Sequence, residues 1–245
     1  MAEKIAIYTA IFGGKDDLKE PHSSLVSDGV DLICFTDDPE IKSSAFQVRL
    51  VTPETSDART NAKKFKILPH QYLEGYDITC WMDGSFRILR PTADYLRSVL
   101  SGSNMAFCQH WDRDCVYAEA DESIRAGRLG AAGAPSMANQ VHKYQKLGLP
   151  EHSGIYIGGI LIRRQAAQDC KDFMEAWWKE IQETSQQDQL SLGYLHWRLK
   201  PNFKHLTREG LFQYFKFYPH CWYEPDDNRV KKTRRVPWKV LQRDG

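Results

Sequence analysis

The sequence predicts an α/β fold, a single Rossmann-like domain whose mostly parallel central sheet is flanked by helices. Short apolar segments of strand length alternate with longer segments of helical periodicity. Several strand candidates end in polar residues, which is typical of a parallel sheet covered on both faces. With 245 residues and 42% hydrophobic content, the chain can form one large domain, assigned to residues 1–225, followed by a basic tail at 226–245.

The first half of the chain alternates strands with two helices. Strands are predicted at residues 4–9, 31–36, 46–51 and 78–82. Ser56 or Asp57 can cap a helix that precedes the last of these strands. A second helix is predicted over 91–100, with Pro91 in its first turn and Gly102 just past its end.

The second half is richer in helices. They are predicted at residues 115–126, 137–147, 170–181 and 188–199, with strands at 104–109 and 155–162. Gly158 and Gly159 interrupt the last strand, which indicates a bulge or a close approach of backbone to a ligand. Residues 127–135, rich in glycine and alanine, are predicted to form a mobile loop, and the aromatic segments around Phe203 and 212–218 receive no element.

The composition of the chain and the motifs that it lacks argue against several classes of protein. The 33 basic and 32 acidic residues nearly cancel, which argues against a surface built to bind nucleic acid. Neither a signal sequence nor a membrane span is recognisable, so we expect a cytoplasmic protein that could also associate peripherally with a membrane. The six scattered cysteines form no C-x-x-C pair and are expected to be reduced structural thiols. The motifs of dinucleotide oxidoreductases, P-loop NTPases, zincins and α/β-hydrolases are missing.

A stripe of cations precedes the strand at 78–82. Arg59, Lys63 and Lys66 follow one another at i, i+4 and i+7 and therefore project from one helical face. Several positive charges on one face suit a single anionic ligand, for which a diphosphate is the natural candidate. The alternative is a solvated helix face.

The same strand ends at Asp83-Gly84-Ser85. Ligands of open α/β sheets bind at the carboxyl ends of the strands, so Asp83 could hold a divalent metal, magnesium or manganese, that bridges a nucleotide diphosphate. The alternative is that Asp83 only begins a turn. His220 is a possible second metal or phosphate contact, although a lone histidine among aromatic residues is usually structural.

Three further segments have both a functional and a structural interpretation. Asp188 either caps a helix, as in the Ser-x-x-Asp pattern, or joins Gln189 as a sugar contact or general base. His110, Arg113 and Glu119 follow a strand end, where they could bind an acceptor or a phosphate or be ordinary surface residues. The cations of the tail could be solvated, or could contact an anionic acceptor, a lipid surface or nucleic acid.

As a set, several motifs resemble the TOD1/MUCI70 type of plant pectin-related glycosyltransferase-like proteins. They lie at residues 7–18, 34–37, 66–70, 76–77, 81–85, 110–120, 162–164, 177–180 and 188–191. Their order and spacing match over roughly residues 5–195. The resemblance implies a GT-A fold and a nucleotide-sugar donor.

The resemblance also implies roles for individual residues. Thr9, Ala10, Phe12 and Asp37 would line the nucleoside pocket. Arg59, Lys63 and Lys66 would face the donor, Gly158 and Gly159 would let backbone approach the sugar, and Asp188 and Gln189 would lie beside the anomeric carbon. Asp83 would stand at the first acid of the Asp-x-Asp metal motif, with Gly84 beside it and Ser85 in place of the second acid. Either His220 and water complete a metal site, or the cations replace the metal.

These observations predict a glycosyltransferase that moves a sugar from a nucleoside-diphosphate sugar to an acceptor hydroxyl. The acceptor would be a glycan, a lipid-linked glycan or a modified nucleic-acid base. Two alternatives remain at this point. One is a non-catalytic module that binds a nucleotide sugar or glycan, and the other is a nucleotidyltransferase, which also needs strand-end acids and cations.

Overall fold

The computed structural model of the protein describes residues 3–22 and 29–218. Its strands are β1 (Ile5–Ile11), β2 (Val30–Thr36), β3 (Gln47–Leu50), β4 (Ile78–Met82), β5 (Phe86–Ile88), β6 (Met105–Gln109), β7 (Tyr156–Arg163), β8 (Phe203–Leu206) and β9 (Phe215–Phe217). Its helices are α1 (Ala58–Ile67), α2 (Ala93–Val99), α3 (Val116–Arg125), α4 (Gly130–Lys146), α5 (Gln168–Glu183), α6 (Asp188–Leu199) and α7 (Arg208–Phe212). His220 and the basic tail at 226–245 lie outside the described residues.

A seven-stranded sheet with the order β3-β2-β1-β4-β7-β6-β8 forms the centre of the fold. The pairs β1–β2, β1–β4, β2–β3 and β6–β8 are parallel, and β7 alone runs against its two neighbours. This arrangement confirms the predicted α/β fold with a mostly parallel sheet. Because β7 is antiparallel to both β4 and β6, the carboxyl ends of β4 and β6 point to the same edge of the sheet.

Helices cover the sheet on both faces, as predicted. Alternate residues of β1 belong to two different core clusters, with Ala6 and Tyr8 in one and Ile5 and Ile7 in the other. This alternation follows from the period of two along a strand. The first cluster includes apolar residues of α1 and α3 to α6, and the second is closed by α2, α7 and the small β5–β9 sheet.

The two glycines of β7 lie at a β-bulge, as the sequence indicates. Phe107 of β6 pairs with Leu161, but the next residue, Cys108, pairs with Ile157. Residues 158–160 therefore have no partner on β6, and the strand bends there. The bulge faces the end of β4, since the backbone N–H of Asp83 donates to the carbonyl of Gly159 at 2.8 Å.

The predicted mobile loop at 127–135 is wrong from residue 130 onward. Helix α4 begins at Gly130 and continues through Pro135. Met137 and Tyr144 of this helix are fully buried, and their packing stabilises an extra turn rich in alanine and glycine. The sequence also gave no element to β5, β8, β9 and α7, which are only three to five residues long.

The cysteines within residues 3–22 and 29–218 are buried free thiols, as predicted. Cys34, Cys80, Cys108, Cys115 and Cys170 are buried and unpaired. Burial raises the pKa of Cys34 and of Cys80 to about 12, so neither is a reactive thiolate at neutral pH. Within residues 3–22 and 29–218, no helix combines the length and apolarity that crossing a membrane requires.

Candidate functional site

The site lies at the edge of the sheet where β1, β2, β4 and β6 end. Phe12, Asp37, Asp83 and His110 are the first residues after these strands. Parallel strands bring such residues to one edge, which is where open α/β sheets bind ligands. Asp37 fixes the turn after β1, since its carboxylate accepts from the backbone N–H of Gly13 at 3.0 Å.

Helix α1 delivers two lysines to this edge on its inner face. Asp57 caps the helix by accepting from the backbone N–H of Arg59 and Thr60, as predicted. Lys63 and Lys66 are only 9% and 5% exposed, whereas Arg59 is exposed on the same helix. A buried ammonium group is costly unless it is paired, so the two lysines need a nearby anion.

That anion is Asp188. Lys66 Nζ lies 2.6 Å from Asp188 Oδ2, and Lys63 Nζ lies 2.9 Å from Asp188 Oδ1. Burial alone would raise the pKa of Asp188, but the two ammonium groups hold this pKa well below its usual range. Burial also opposes the charged form of Lys66, but the nearby carboxylates of Asp188 and Asp83 outweigh it, so the pKa of Lys66 is raised. For Lys63, burial outweighs the effect of Asp188, and its pKa is lowered.

The contacts of Asp188 favour the functional interpretation over the helix-capping one. Asp188 is the first residue of α6, and the N-cap residue Gln187 makes no side-chain capping hydrogen bond. The buried Trp177 fixes the first turn of this helix. Its indole N–H donates to the backbone carbonyl of Asp188 at 3.2 Å and to the hydroxyl of Ser191 at 3.0 Å. The carboxylate of Asp188 is therefore held toward the lysines.

Asp83 completes the cluster from the end of β4. Its Oδ1 accepts from the indole N–H of Trp81 at 2.6 Å and lies 3.7 Å from Lys66 Nζ. The side chain of Asp83 remains 34% exposed, so it faces both the lysine and the solvent. Ser85, in contrast, is buried, and its carbonyl accepts from the backbone N–H of Tyr218 at 2.7 Å.

The two glycines of the bulge make room for this cluster. A Cβ at Gly158 would lie 2.5 Å from Lys66 Nζ and 3.2 Å from Asp188 Oδ2. A Cβ at Gly159 would lie 2.7 Å from the ring of Phe86. A side chain at position 158 would displace Lys66, and one at position 159 would displace the ring of Phe86. The two glycines therefore allow Lys66 and Phe86 to approach the backbone of β7 closely.

A second ion cluster surrounds Glu119, which is fully buried on α3. Arg113 Nε donates to Glu119 Oε2 at 2.6 Å, and Arg128 Nη1 donates to Oε1 at 2.9 Å. Ser123 and Gln187 also donate to Oε1, at 3.0 and 3.3 Å. His110 joins the cluster through Arg113, whose Nη2 lies 3.1 Å from His110 Nε2.

Gln189, the residue after Asp188 in the chain, contacts the cluster around Glu119. Its Oε1 accepts from Arg128 Nη1 at 3.3 Å and from Gln187 Nε2 at 3.1 Å. Arg59 reaches the same region by donating to the carbonyl of Arg128 at 3.0 Å. The structure thus brings together the predicted residues of the cation stripe, the strand end, the glycine pair, the start of α6 and the cluster after β6.

The predicted nucleoside-binding residues of β1 lie deeper. Thr9 is fully buried, Ala10 is 8% exposed, and Phe12 belongs to the core, where its ring stacks on Phe65 at 5.6 Å. Their side chains point into packed protein, so only their backbone can face a ligand. Their role in a nucleoside pocket stays a prediction.

Sequence reasoning missed several residues that hold the site in place. Arg163 is fully buried and donates to the carbonyl of Lys66 at 2.9 Å and to the hydroxyl of Tyr8 at 2.5 Å. Tyr8 also donates to the carbonyl of Lys66, at 3.0 Å. One sequence feature could have identified these residues: each has a polar group within an otherwise apolar strand. Tyr8 and Arg163 lie in β1 and β7, and Trp81 lies next to the end of β4.

The described residues do not form a metal site. Within these ranges there is no group of three or more His, Cys, Asp or Glu residues that could hold a metal ion. One oxygen of Asp83 already accepts from Trp81, and both oxygens of Asp188 are engaged by lysines. His220, the other predicted ligand, lies outside the described residues.

Comparison with known proteins adds an independent finding. Residues 42–217 match the model of the TOD1/MUCI70, glycosyltransferase-like domain. The chain is also similar to the probable hexosyltransferase MUCI70 of Arabidopsis thaliana, with 26% identity over 214 residues. That alignment covers 77% of the chain and 36% of the relative, so the chain spans about a third of the relative's length.

Proposed function

The chain belongs to the TOD1/MUCI70 glycosyltransferase-like family, and we propose that it transfers a sugar from a nucleoside-diphosphate sugar to an acceptor hydroxyl. The observation that supports this proposal best is the cluster of Lys63, Lys66 and Asp188 beside Asp83 at the ligand-binding edge of the sheet. The Arabidopsis relative is named a probable hexosyltransferase, which favours a hexose as the transferred sugar.

The charges around the cluster suit a diphosphate. Two carboxylates, Asp83 and Asp188, face the two lysines, and the fully buried Arg163 has no carboxylate partner among the described residues. Arg59 adds a further exposed cation on the same helix. The positive charges in this region therefore outnumber the negative ones. In a partly buried site, this excess of positive charge favours an anionic ligand more strongly than it would in water.

The lysines would act when the bond between the sugar and the diphosphate breaks. Negative charge then develops on the leaving diphosphate, and ammonium groups that are already in place stabilise it without reorganisation. Lys66 is suited to this role, because α1, Arg163 and the bulge at Gly158 fix its position.

In this proposal Asp188 orients the lysines. A carboxylate whose pKa is far below neutral is a weak base, since proton transfer is most effective when the pKa lies near the working pH. Both of its oxygens are also engaged by ammonium groups. We therefore assign Asp188 to positioning Lys63 and Lys66, with Gln189 beside it, and not to deprotonating the acceptor.

The proposal contains no metal-dependent step. Of the two carboxylates that contact Lys63 or Lys66 in the described residues, Asp83 alone is partly exposed, whereas hard cations such as magnesium and manganese take several oxygen ligands. The positive charge that a metal would supply to the diphosphate comes, in this proposal, from Lys63, Lys66 and Arg59.

A non-catalytic module that binds a nucleotide sugar is the second candidate. It is favoured by one observation, the serine at position 85 where the resemblance places a second acid. Ser85 is buried, so it does not replace that acid as a ligand contact.

Calorimetry with a panel of nucleotide sugars, with and without manganese, combined with donor-hydrolysis and transfer assays, tests both candidates. We expect binding of at least one donor, slow hydrolysis, and loss of turnover in Lys66→Met and Asp83→Ala. Tight binding without turnover under every condition would favour the module. No binding and no turnover with any donor would overturn both.

A further inference from the structure

Trp111 is an exposed aromatic residue that the proposed transfer does not use. It is 38% exposed and belongs to neither core cluster. It directly follows His110 after the end of β6, so it lies at the same edge of the sheet as Asp83. A large aromatic side chain left open at a ligand-binding edge is a candidate contact for a ligand.

The surroundings of Trp111 are partly aromatic and partly charged. The ring of Phe212 lies 5.6 Å from the Trp111 ring, and the guanidinium of Arg208 lies 5.1 Å from its centroid. Arg208 is itself exposed, so this cation–π contact is weak, on the order of 0.5–1 kcal/mol, and a ligand can displace it. Asp112 and Arg113, next in the chain, supply further polar groups.

A continuous set of contacts connects Trp111 with the donor site. Helix α7 contacts Trp111 through Arg208 and Phe212. The chain then forms β9, which pairs with β5, the strand that follows Ser85. On its other side, the loop of Trp111 includes Arg113, which binds Glu119 in the cluster that reaches Gln189.

We propose that Trp111, with Arg208 and Phe212, forms the acceptor subsite, and that its occupant is a pyranoside. This inference rests on the proposed function, which requires a hydroxyl acceptor next to the donor. A pyranose ring presents C–H groups on its face and hydroxyls around its rim. The C–H groups match the electron-rich face of the indole, and the hydroxyls match Arg208 and the polar residues around His110.

A protein partner fits this surface less well than a small carbohydrate does. Specific protein interfaces bury roughly 800 Å² on each partner, far more than one indole and its neighbours provide. The adjacent exposed groups are charged, as in a site for a small polar ligand.

Isothermal titration calorimetry, combined with intrinsic tryptophan fluorescence, tests the subsite directly, because the binding heat yields a Kd even where the reporting tryptophan has been replaced. Methyl glycosides of glucose, galactose and xylose, together with cellobiose, are titrated into the wild type, Trp111→Ala, Trp111→Phe and Trp197→Phe. Trp197 is the control, because it packs against the first core cluster and its ring contacts Tyr194, whereas Trp111 contacts Arg208 and Phe212. Thermal melting verifies that each variant is folded.

We expect a saturable fluorescence change with at least one glycoside in the wild type and in Trp197→Phe. In Trp111→Ala the apparent Kd should rise by roughly tenfold or more, as for other aromatic contacts in ligand sites. Trp111→Phe should lose less affinity, because it keeps an aromatic face. In transfer assays the acceptor KM should rise in Trp111→Ala while the donor KM stays unchanged.

An undiminished response in Trp111→Ala, an equal loss in Trp197→Phe, or no response to any glycoside in the wild type would each overturn the subsite. The two proposals fail separately. Glycoside binding that depends on Trp111 without any turnover would refute transfer and keep the subsite. Transfer with an unchanged acceptor KM in Trp111→Ala would refute the subsite and keep transfer.

Discussion

Two buried carboxylates, Asp188 and Glu119, are each held by two cations, yet their surroundings differ. Glu119 is fully buried and accepts hydrogen bonds from two arginines, a serine and a glutamine. Among the described residues, the carboxylate of Asp188 is held by two lysines. Beside it lie the bare backbone of Gly158 and the partly exposed Asp83.

This difference indicates different tasks. Arginine binds a carboxylate through a planar fork, whereas the lysine ammonium is a compact point charge with three N–H donors. A carboxylate with several donors is a structural anchor, because each donor would be left unpaired without it. A carboxylate held by lysines next to an open edge can keep them in position and share their remaining N–H donors with an incoming diphosphate.

The largest effect we predict is on stability, at Glu119. Replacing it by glutamine leaves Arg113 and Arg128 without their anion, and breaking a buried ion pair costs about 3–5 kcal/mol. Because both arginines are partly exposed and can be hydrated, we expect a value near the lower limit. Chemical denaturation measures this loss.

Glu122→Gln, on the same helix, is the matched control, because Glu122 pairs with the exposed Arg125 and should show no measurable change. If Glu119→Gln instead abolished transfer while leaving the midpoint of denaturation unchanged, Glu119 would belong to the active site and the contrast with Asp188 would be lost.

The second effect is on turnover, at Lys66. Replacement by methionine keeps the length of the side chain and removes the charge that is to stabilise the leaving diphosphate. Removing one such preorganised group typically lowers kcat by about 10²- to 10³-fold. We expect a loss of this size in Lys66→Met, measured with the best donor of the panel.

Lys64→Met is the control for Lys66. Lys64 lies on the same helix, but its Nζ pairs with Glu54 on the surface, so its replacement should leave turnover unchanged. Equal losses in both variants would mean that the helix, and not the charge of Lys66, is responsible.

The third effect concerns the space that Gly158 leaves. In Gly158→Ala the new methyl group would lie 2.5 Å from Lys66 Nζ and must displace it. Since a displacement of about 1 Å in an active site can cost up to about 100-fold in rate, we expect kcat to fall by up to that factor. In the double variant with Lys66→Met, the glycine substitution should add little further loss. Fully additive losses would show that Gly158 acts independently of Lys66.

The fold was largely predictable from sequence, because its main elements are strongly periodic. The short apolar run of β1 and the apolar stripe of α5 identify a buried strand and an amphipathic helix without any tertiary information. The short β5, β8 and β9 were not predictable, because three or four residues contain too few alternations and depend on their tertiary partners. Helix α4 was misjudged at its start for a similar reason, since distant packing outweighs local propensity.

The site was predictable in its residues but not in its pairing. The sequence indicated that Lys63 and Lys66 share a helical face, and it offered Asp188 as a capping residue or a catalytic one. Asp188 binds both lysines, although 122 residues of chain separate it from Lys66. This pairing follows only from the topology of the fold. Trp81 and Arg163 lie in the motifs at 81–85 and 162–164 but received no role, because they stand in otherwise apolar strands and resemble core residues there.

The smallest effect we predict is the pH dependence of stability at His110. Burial, with a contribution from Arg113, lowers the pKa of His110 below its usual value. Its Nδ1 accepts from the backbone N–H of Asp112 and of Arg113, and a proton on this nitrogen would break both hydrogen bonds. A lowered pKa means that the unfolded chain binds the proton more readily. The stability from His110 is therefore complete above pH of about 6.5 and is lost as the pH falls through the folded-state pKa.

Denaturation midpoints between pH 8 and 5 should fall less steeply for His110→Asn than for the wild type. His152 provides a control of opposite sign, because its hydrogen bond with Asp114 raises its pKa, and its contribution is lost as the pH rises. If the cluster around Glu119 is structural, acid should lower stability through His110 before it changes the kcat of the folded enzyme. A kcat that followed the protonation of His110 while stability stayed constant would instead place this histidine, and the cluster around Glu119, in the chemistry of transfer.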